Sequence, residues 1–288
     1  MKAWKLPQHI FSFDHPRLMG ILNLTEDSFS DGGKFLSWET AVKHAAQMVQ
    51  DGADMLDLGA ESTRPGAESI SAVTQIEKIL PVLKKVKEFS IPVSIDTTNA
   101  EVAEACLKAG ADVINDVSGL RDSAGKVAEI ATRYQAGLIL MHRRGSAETM
   151  QKLAIYEDLL GEVFSELEQS IQLAESRGVS REALVIDPGL GFSKTSEQSF
   201  FIMKEIKYFE KLELPLLLGP SRKSFIGLAT GRSVNEREFG TAACLAYALN
   251  QGVRFFRVHD VRAARDVIQT FQAIESAKFS PNVKLGCL

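Results

Sequence analysis

Short apolar runs recur eight times along the chain, and each stops at a polar or charged side chain. LMGIL stops at Asn23 and IPVSI at Asp96, and a longer segment with helical periodicity follows each run. The other stops are Asp57, Asn115, His142, Asp187, the group Ser221-Arg222-Lys223, and Arg257 with His259. Leu-rich or β-branched runs without alternation are typical of parallel strands buried on both faces. The pattern therefore predicts eight βα units.

The bounds of these units follow from the runs and from cap and breaker residues. The eight predicted strands are Leu18–Leu24, Met55–Gly59, Pro92–Asp96, Val113–Val117, Leu138–His142, Leu184–Asp187, Pro215–Gly219 and Phe255–His259. The first helix is predicted to begin at Ser37, an N-cap residue, and the final helix to cover Ala263–Ile274. Pro81 predicts a kink or a break in the second helix.

Eight successive βα units favour a single (β/α)8 TIM barrel, an α/β fold whose strands all end at one pocket. A doubly wound open sheet is the competing architecture. It typically opens with a G-x-G-x-x-G turn, and the turn after the first predicted strand, NLTEDSFSDGG, lacks that fingerprint. We expect residues 1–17 to be an N-terminal extension, a small flap or hairpin over the barrel bottom, and residues 18–288 to form the barrel domain.

Composition narrows the functional classes. The chain has 288 residues, 45% hydrophobic and 24% charged, with a formal net charge of -4, which argues against broad binding to a nucleic-acid backbone. Three scattered cysteines without metal-type spacing suit a reducing compartment. No run approaches the roughly 18 apolar residues of a membrane span. We expect a cytoplasmic protein with no membrane or nucleic-acid partner.

Three acids end predicted strands: Asp57, Asp96 and Asp187. A carboxylate there points into a barrel mouth and can accept paired N–H bonds from a guanidine-like ring edge. The alternative for any one of them is a helix cap or a partner for an arginine. Three together with Asn115 favour a ligand site.

A second group is cationic: Arg64, Arg222, Lys223, Arg257 and His259. The loops after strands seven and eight commonly bind phosphate in this fold, and arginine binds phosphate in a bidentate way. The alternative is solvated surface charge. At the end of the first predicted strand, the amide oxygen of Asn23 could hold a Mg²⁺ that bridges substrate phosphates.

The ordered motifs MGILNLTEDSFSDGG, DLGAESTRPG, VSIDT, INDVSG, LMHRRG, DPGLGF, LLLGPSRKSFIG and RVHDV resemble those of the dihydropteroate synthases. The resemblance runs from about Arg17 to about Arg265. It implies a transferase that forms a C–N bond between p-aminobenzoate and 6-hydroxymethyl-7,8-dihydropterin diphosphate, giving 7,8-dihydropteroate and pyrophosphate in tetrahydrofolate biosynthesis. It also implies an SN1-like mechanism, Mg²⁺ as cofactor, a cytoplasmic homodimer, and competition by sulfonamides.

The resemblance implies roles for particular residues. The pterin edge would be held by Asp96, Asn115, Asp187 and Lys223, with further substrate contacts from Met141 and Gly219. Arg257 would stack on the pterin. The diphosphate would meet Asn23 through Mg²⁺, together with Arg64, Arg257 and His259. The aminobenzoate would lie among Thr63, Pro65, Phe192, Ser221 and Lys223. Asp96, Arg64 and Lys223 are the expected catalytic residues.

The chain departs from the family pattern at Glu26, Ala60, Arg143-Arg144 and Ser193, and none of these departures removes an expected ligand. Two other functions stay open. One is a non-catalytic pterin-binding module such as the methyltetrahydrofolate-binding part of corrinoid methyltransferases, which has no need of the cations around Arg64, SRKSFIG and RVH. The other is a phosphate-sugar barrel enzyme, for which His142 is the obvious acid/base candidate.

Overall fold

The computed structural model describes residues 3–24, 38–62 and 69–278. A short antiparallel hairpin comes first, formed by β1 (Ala3–Lys5) and β2 (Ile10–Ser12). The barrel strands follow: β3 (Arg17–Asn23), β4 (Met55–Gly59), β5 (Val93–Asp96), β6 (Val113–Asp116), β7 (Gly137–Met141), β8 (Leu184–Asp187), β9 (Leu217–Leu218) and β10 (Phe255–Val258).

One α-helix follows each barrel strand, except that β9 is followed by two. The helices are α1 (Trp38–Gln50), α2 (Ala72–Val86), α3 (Ala100–Lys108), α4 (Lys126–Tyr134), α5 (Leu159–Ser176), α6 (Ser196–Lys204), α7 (Ser224–Thr230), α8 (Glu238–Asn250) and α9 (Val261–Ser276). Side-chain caps fix several starts: Asn99 Oδ1 accepts from the Glu101 amide at 2.8 Å, and Asp260 Oδ1 from the Ala263 amide at 2.9 Å. Pro81 lies inside α2 without ending it.

The eight strands of the main sheet are all parallel, in the order β8-β7-β6-β5-β4-β3-β10-β9. A parallel bridge between Ile186 and Leu216 joins the two edge strands, and the Ile186 amide donates to the Pro215 carbonyl at 3.0 Å. The predicted single (β/α)8 barrel is therefore confirmed. The strand predicted over 215–219 is shorter than expected, because only Leu217 and Leu218 are in the β9 ladder.

Strand alternation separates the apolar core into two parts. One part lies between the strands and the helices and includes Leu56, Ile114 and Leu138. The other fills the barrel bottom and consists of Met19, Met55, Val113, Ile139, Val185, Leu217 and Phe255 with the hairpin residues Trp4, Leu6, Phe11 and Phe13. The hairpin is anchored there by the Trp4 indole N–H, which donates to the Ala183 carbonyl at 2.9 Å. Whether residues 1–17 are a separate unit stays a prediction.

Among the described residues, no helix is both long and apolar enough to cross a bilayer.

Candidate active site

The apolar cluster at the barrel bottom is here called the plug. The candidate site is the layer of barrel-facing side chains directly above it. Because side chains alternate along a strand, the residue two positions after each plug residue faces the same way. Those residues are Ile21, Asp57, Asn115, Met141, Asp187, Gly219 and Arg257, each two positions beyond a member of the plug. Five of them are predicted site residues, and the strand register pairs Asp96 with Asn115 and Met141 with Asp187.

Arg257 connects two of the three strand-end acids, Asp57 and Asp96. Its Nε donates to Asp57 Oδ2 at 2.6 Å and its Nη2 to Asp96 Oδ2 at 2.8 Å. Asn115 Nδ2 also donates to Asp57 Oδ2, at 3.1 Å. Asp57 is fully buried, so these bonds compensate its charge and fix the orientation of Arg257 and Asn115. The sequence grouped Asp57 with the other strand-end acids, with pairing to an arginine as the alternative, and in the structure Asp57 supports two predicted ligand-binding residues, Arg257 and Asn115.

Two oxygen atoms of this network stay without a partner in the described part of the chain. Asp57 Oδ1 and Asp96 Oδ1 are both buried and accept no hydrogen bond. Burial raises the pKa of Asp96, an effect that Arg257 opposes. Since buried acceptors are normally satisfied, the free Asp96 oxygen marks a place where a ligand donor would bind.

Asp187 and Lys223 form the side of the barrel mouth next to the network of Arg257, Asp57 and Asp96. Asp187 Oδ1 accepts from the Gly189 amide at 2.7 Å, and burial raises its pKa. The Lys223 ammonium lies 3.8 Å from the ring centroid of Phe192. Burial away from water lowers the Lys223 pKa to about 8, although the nearby Asp187 carboxylate opposes that shift. A lysine and two acids thus converge on one side of the mouth.

Ser221 and His259 lie next to each other at the ends of the last two barrel strands. Ser221 Oγ is 2.9 Å from His259 Nδ1 and accepts from the His259 amide at 3.2 Å. Arg222 turns away from this group, because its Nε pairs with Glu238 Oε2 at 3.3 Å. The structure thus separates Arg222 from the cationic group that the sequence suggested.

Apolar residues form another wall of the mouth: Val117, Met141, Met150 and Phe192 pack in one buried cluster. Gly219 leaves room beside Arg257, since a Cβ built there would be 3.7 Å from Arg257 Cβ. The sequence analysis did not single out Val117, although its position two residues after Asn115 gives it the same inward direction.

Asn23 ends β3 and is half-buried. The described residues contain no group of three or more His, Cys, Asp or Glu side chains that could hold a metal ion. The predicted residues Thr63, Arg64 and Pro65 lie outside the described residues, as do Glu26 and the predicted helix start at Ser37.

A cleft of about 940 Å³ opens outward from Asp96 and Val117. Its described walls come from α2, α3 and α4 and from the segment after β7, and they include Asn99, Lys126 and Arg143. The mouth is thus open to a ligand larger than a single ring.

His142 faces away from the mouth, toward α5. Its Nε2 is 3.1 Å from Glu166 Oε2 and its Nδ1 is 2.8 Å from Nζ of the buried Lys194. Burial lowers the His142 pKa to about 3, so the ring is neutral at physiological pH. This arrangement removes the acid/base candidate on which a phosphate-sugar enzyme would depend. Lys194 was missed because a lysine in a loop sequence gives no sign of burial.

The chain is similar to known proteins in both sequence and fold. The family model described as pterin binding enzyme matches residues 19–259. A dihydropteroate synthase of Synechocystis sp. is 44% identical over 259 residues, which are 89% of this chain and 89% of the relative.

Solved structures are similar over nearly the whole chain. Dihydropteroate synthase of Yersinia pestis in complex with a sulfonamide drug has a TM-score of 0.90 at 33% identity, covering 96% of this chain and 100% of that one. The Xanthomonas albilineans enzyme in complex with 7,8-dihydropteroate has a TM-score of 0.85 at 33% identity, again covering 96% and 100%.

Proposed function

This chain belongs to the family of pterin-binding enzymes, within which we propose that it acts as a dihydropteroate synthase. It is a transferase of folate synthesis. It joins p-aminobenzoate to 6-hydroxymethyl-7,8-dihydropterin diphosphate, releases pyrophosphate, and is a target of sulfonamides.

The single observation that carries the proposal is the convergence of Asp96, Asn115, Asp187 and Lys223 on one mouth. A pterin edge carries N–H donors beside ring-nitrogen and carbonyl acceptors. Two buried carboxylates suit its donors, because Asp96 Oδ1 is buried without a partner. The Lys223 ammonium and the Asn115 amide suit its acceptors.

We assign the diphosphate to the rim above this layer. Asn23 and His259 each lie two positions beyond a residue of the layer, and Arg257 extends its guanidinium across it. Arg64 completes this set as predicted from the resemblance. Cations at the leaving group stabilise the negative charge that grows as pyrophosphate departs.

The aminobenzoate belongs beside Phe192, Ser221 and Lys223. The Phe192 ring offers a flat apolar face, and Ser221 and Lys223 offer a hydroxyl and a cation for the carboxylate. Thr63 and Pro65 are assigned here from the resemblance, as are Met141 and Gly219 to the pterin.

The chemistry follows from this charge arrangement. The C–O bond to the diphosphate breaks first, and pyrophosphate keeps the electron pair. The amine nitrogen of aminobenzoate then forms the C–N bond to the pterin methylene and releases one proton. Asp96 stabilises the positive charge that develops on the pterin, because its carboxylate lies in a preorganised, water-poor layer. No strong general base is required.

Magnesium is proposed as the cofactor. Mg²⁺ usually keeps several waters and uses one or two protein oxygens with substrate phosphates. The Asn23 amide oxygen on the rim fits that requirement. When bound, the ion would neutralise charge on the diphosphate.

A homodimer is proposed on the exposed apolar face of α7 and α8. Leu228 is 76% exposed and Phe239 is 92% exposed. Exposed patches of large apolar residues commonly mark protein interfaces. Light scattering should give a dimer mass that Phe239→Glu halves, while Ile10→Glu on the hairpin leaves it unchanged. A monomeric wild type would contradict the proposal.

The cytoplasmic location stays a prediction.

The activity is tested by mixing the purified protein with Mg²⁺, the pterin diphosphate and p-aminobenzoate and following pyrophosphate. Release that depends on aminobenzoate supports the synthase. Binding of the pterin without release would instead indicate a pterin-binding module.

A further inference from the structure

The position of the Lys223 ammonium depends on the loop that follows β8. The ammonium lies 3.8 Å from the Phe192 ring centroid, and a Cβ built on Gly191 would lie 3.6 Å from Lys223 Cδ. The aliphatic part of the Lys223 side chain therefore packs beside Gly191, and its ammonium packs on the Phe192 ring. A shift of that loop would move the charge that the proposed function assigns to aminobenzoate.

This loop is held from the side away from the mouth. Ser193 is fully buried, and its Oγ donates to the Phe192 carbonyl at 2.8 Å and accepts from the Arg144 amide at 2.9 Å. The Tyr156 hydroxyl donates to the Ser193 carbonyl at 2.9 Å. Two successive carbonyls of the loop are thus fixed by hydroxyl groups that do not face the mouth.

Arg144 connects these contacts to α5. Its guanidinium lies 4.1 Å from the ring centroid of Tyr156, and its Nε donates to Glu166 Oε1 at 2.8 Å. It also pairs with Glu162 at 2.7 Å. Arg144 therefore holds Tyr156 by its ring and Ser193 by its own backbone amide. We call Arg144, Tyr156 and Ser193 the loop clamp.

A buried chain of polar groups joins the same loop to the same glutamate. Lys194 Nζ donates to the Phe192 carbonyl at 3.0 Å and lies 2.8 Å from His142 Nδ1. The Glu166 carboxylate, whose pKa the hydrogen bond from His142 helps to lower, can only accept, so the His142 proton is on Nε2, 3.1 Å from Glu166 Oε2, and Nδ1 is left as an acceptor for Lys194. Both routes end on Glu166, so the loop is enclosed by a connected network rather than a single bond.

The backbone of Ser193 shows what the clamp has to maintain. Its φ is +46°, in the left-handed region that non-glycine residues seldom adopt. A side chain is retained in this conformation only where surrounding contacts hold it. Ser193 and Arg144 are also two of the departures from the family motifs, and the structure places them in direct contact.

We propose that the loop clamp is a set of positioning residues that fixes Phe192, and through it Lys223, for recognition of the aminobenzoate carboxylate. The inference rests on the proposed function for the identity of the substrate. The clamp residues themselves do not touch the reacting atoms.

The first test needs no turnover. A lysine Cε proton above an aromatic ring is shifted upfield in an NMR spectrum, and the Lys223 signal can be assigned in ¹³C-lysine-labelled protein by its loss in Lys223→Arg. Tyr156→Phe removes only the hydroxyl, and Ser193→Gly removes the side chain while tolerating positive φ. Tyr156→Phe and Ser193→Gly should each reduce the upfield shift of the Lys223 Cε proton signal. Tyr208→Phe, and Gln135→Gly at another left-handed residue, should not.

The second test separates the substrates. Tyr156→Phe and Ser193→Gly should each raise KM for aminobenzoate by about 3- to 10-fold. The dissociation constant of the pterin diphosphate should change by less than about 2-fold, because Asp96, Asn115 and Asp187 still hold the pterin when Lys223 moves. If the wild type does not turn over, the proposed function fails, and aminobenzoate affinity by calorimetry then replaces KM. An unchanged lysine signal, an unchanged aminobenzoate value, or equal losses for both substrates would each overturn the clamp.

Discussion

Arg257 Nη2 donates a hydrogen bond to Asp96 Oδ2 at 2.8 Å, joining residues 161 positions apart. The contact connects the ends of β10 and β5, which are separated in the sheet by β3 and β4. The same guanidinium also binds Asp57. One arginine therefore neutralises two buried acids and orients the one that we place beside the reacting carbon.

Asp96→Asn should lower kcat/KM by about 100-fold or more, because it removes a preorganised charge at the site of developing positive charge. The fold should persist, since the amide has nearly the same shape. Steady-state kinetics with both substrates measure the effect. Turnover close to that of the wild type would remove Asp96 from the catalytic set.

Arg257→Met should lower the free energy of unfolding by about 3–5 kcal/mol near neutral pH, because Asp57 and Asp96 lose their shared cation while buried. A carboxyl whose folded pKa is raised binds a proton more tightly in the folded chain, so its penalty grows as pH rises above the ordinary aspartate pKa. Urea unfolding at acidic and neutral pH should show a smaller loss at acidic pH. Arg232→Met, which breaks an exposed pair, is the control. Equal losses in the two variants would contradict the account.

The kcat/KM for aminobenzoate should fall at alkaline pH, because Lys223 loses its proton. Its pKa is lowered to about 8, so the ammonium loses its proton as pH rises through that value. The kcat/KM for aminobenzoate should then fall by up to about 10-fold per pH unit, since this parameter reports the free enzyme. In the unfolded chain this lysine keeps its proton up to about pH 10.4. Between the folded and the unfolded pKa, the contribution of Lys223 to the free energy of unfolding therefore rises with pH. The titration of Lys223 thus does not destabilise the fold, and the loss of activity is not explained by unfolding. A flat profile to pH 9.5 or so would be inconsistent with this assignment.

The sequence predicted the barrel and most of the converging side chains because parallel strands leave a strong signal. Apolar runs gave β4 and β8 with the observed bounds, and the polar residues at the strand ends gave Asp96, Asn115 and Asp187. The length of β9 was overestimated, since its ladder contains only Leu217 and Leu218, while Leu216 forms a single bridge to Ile186.

The direction of each strand-end side chain could not be predicted. Strands buried on both faces show no alternation, so Asn115 and Asp116 look alike in the sequence, as do Met141 and His142. Only the observed packing of the plug shows which member of each pair faces the mouth. Asp116 instead accepts from Ser118, and His142 from Lys194.

The sequence predicted a helical segment after the seventh strand but gave no bounds for α8, for a related reason. It buries Leu245 and Leu249 on one face but exposes Phe239 and Tyr247 on the other, so its sequence lacks an apolar stripe. The left-handed Ser193 and the buried Lys194 depend on contacts distant in sequence, which local patterns do not contain.

Asn23→Ala should raise the Mg²⁺ concentration that gives half-maximal turnover by about 10-fold, because it removes the proposed protein oxygen ligand. A chelator should abolish turnover, and added Mg²⁺ should restore it. Magnesium titrations of kcat compare this variant with Asn250→Ala, an exposed asparagine at the end of α8. Matching titration curves for the two variants would exclude Asn23 as a ligand.

The central claim is that this barrel mouth forms a C–N bond between the pterin methylene and aminobenzoate. Mass spectrometry with ¹³C-labelled p-aminobenzoate tests it directly, with pyrophosphate measured in the same reaction. We predict labelled 7,8-dihydropteroate in a one-to-one ratio with pyrophosphate. Binding of the pterin diphosphate without any labelled product would contradict the account.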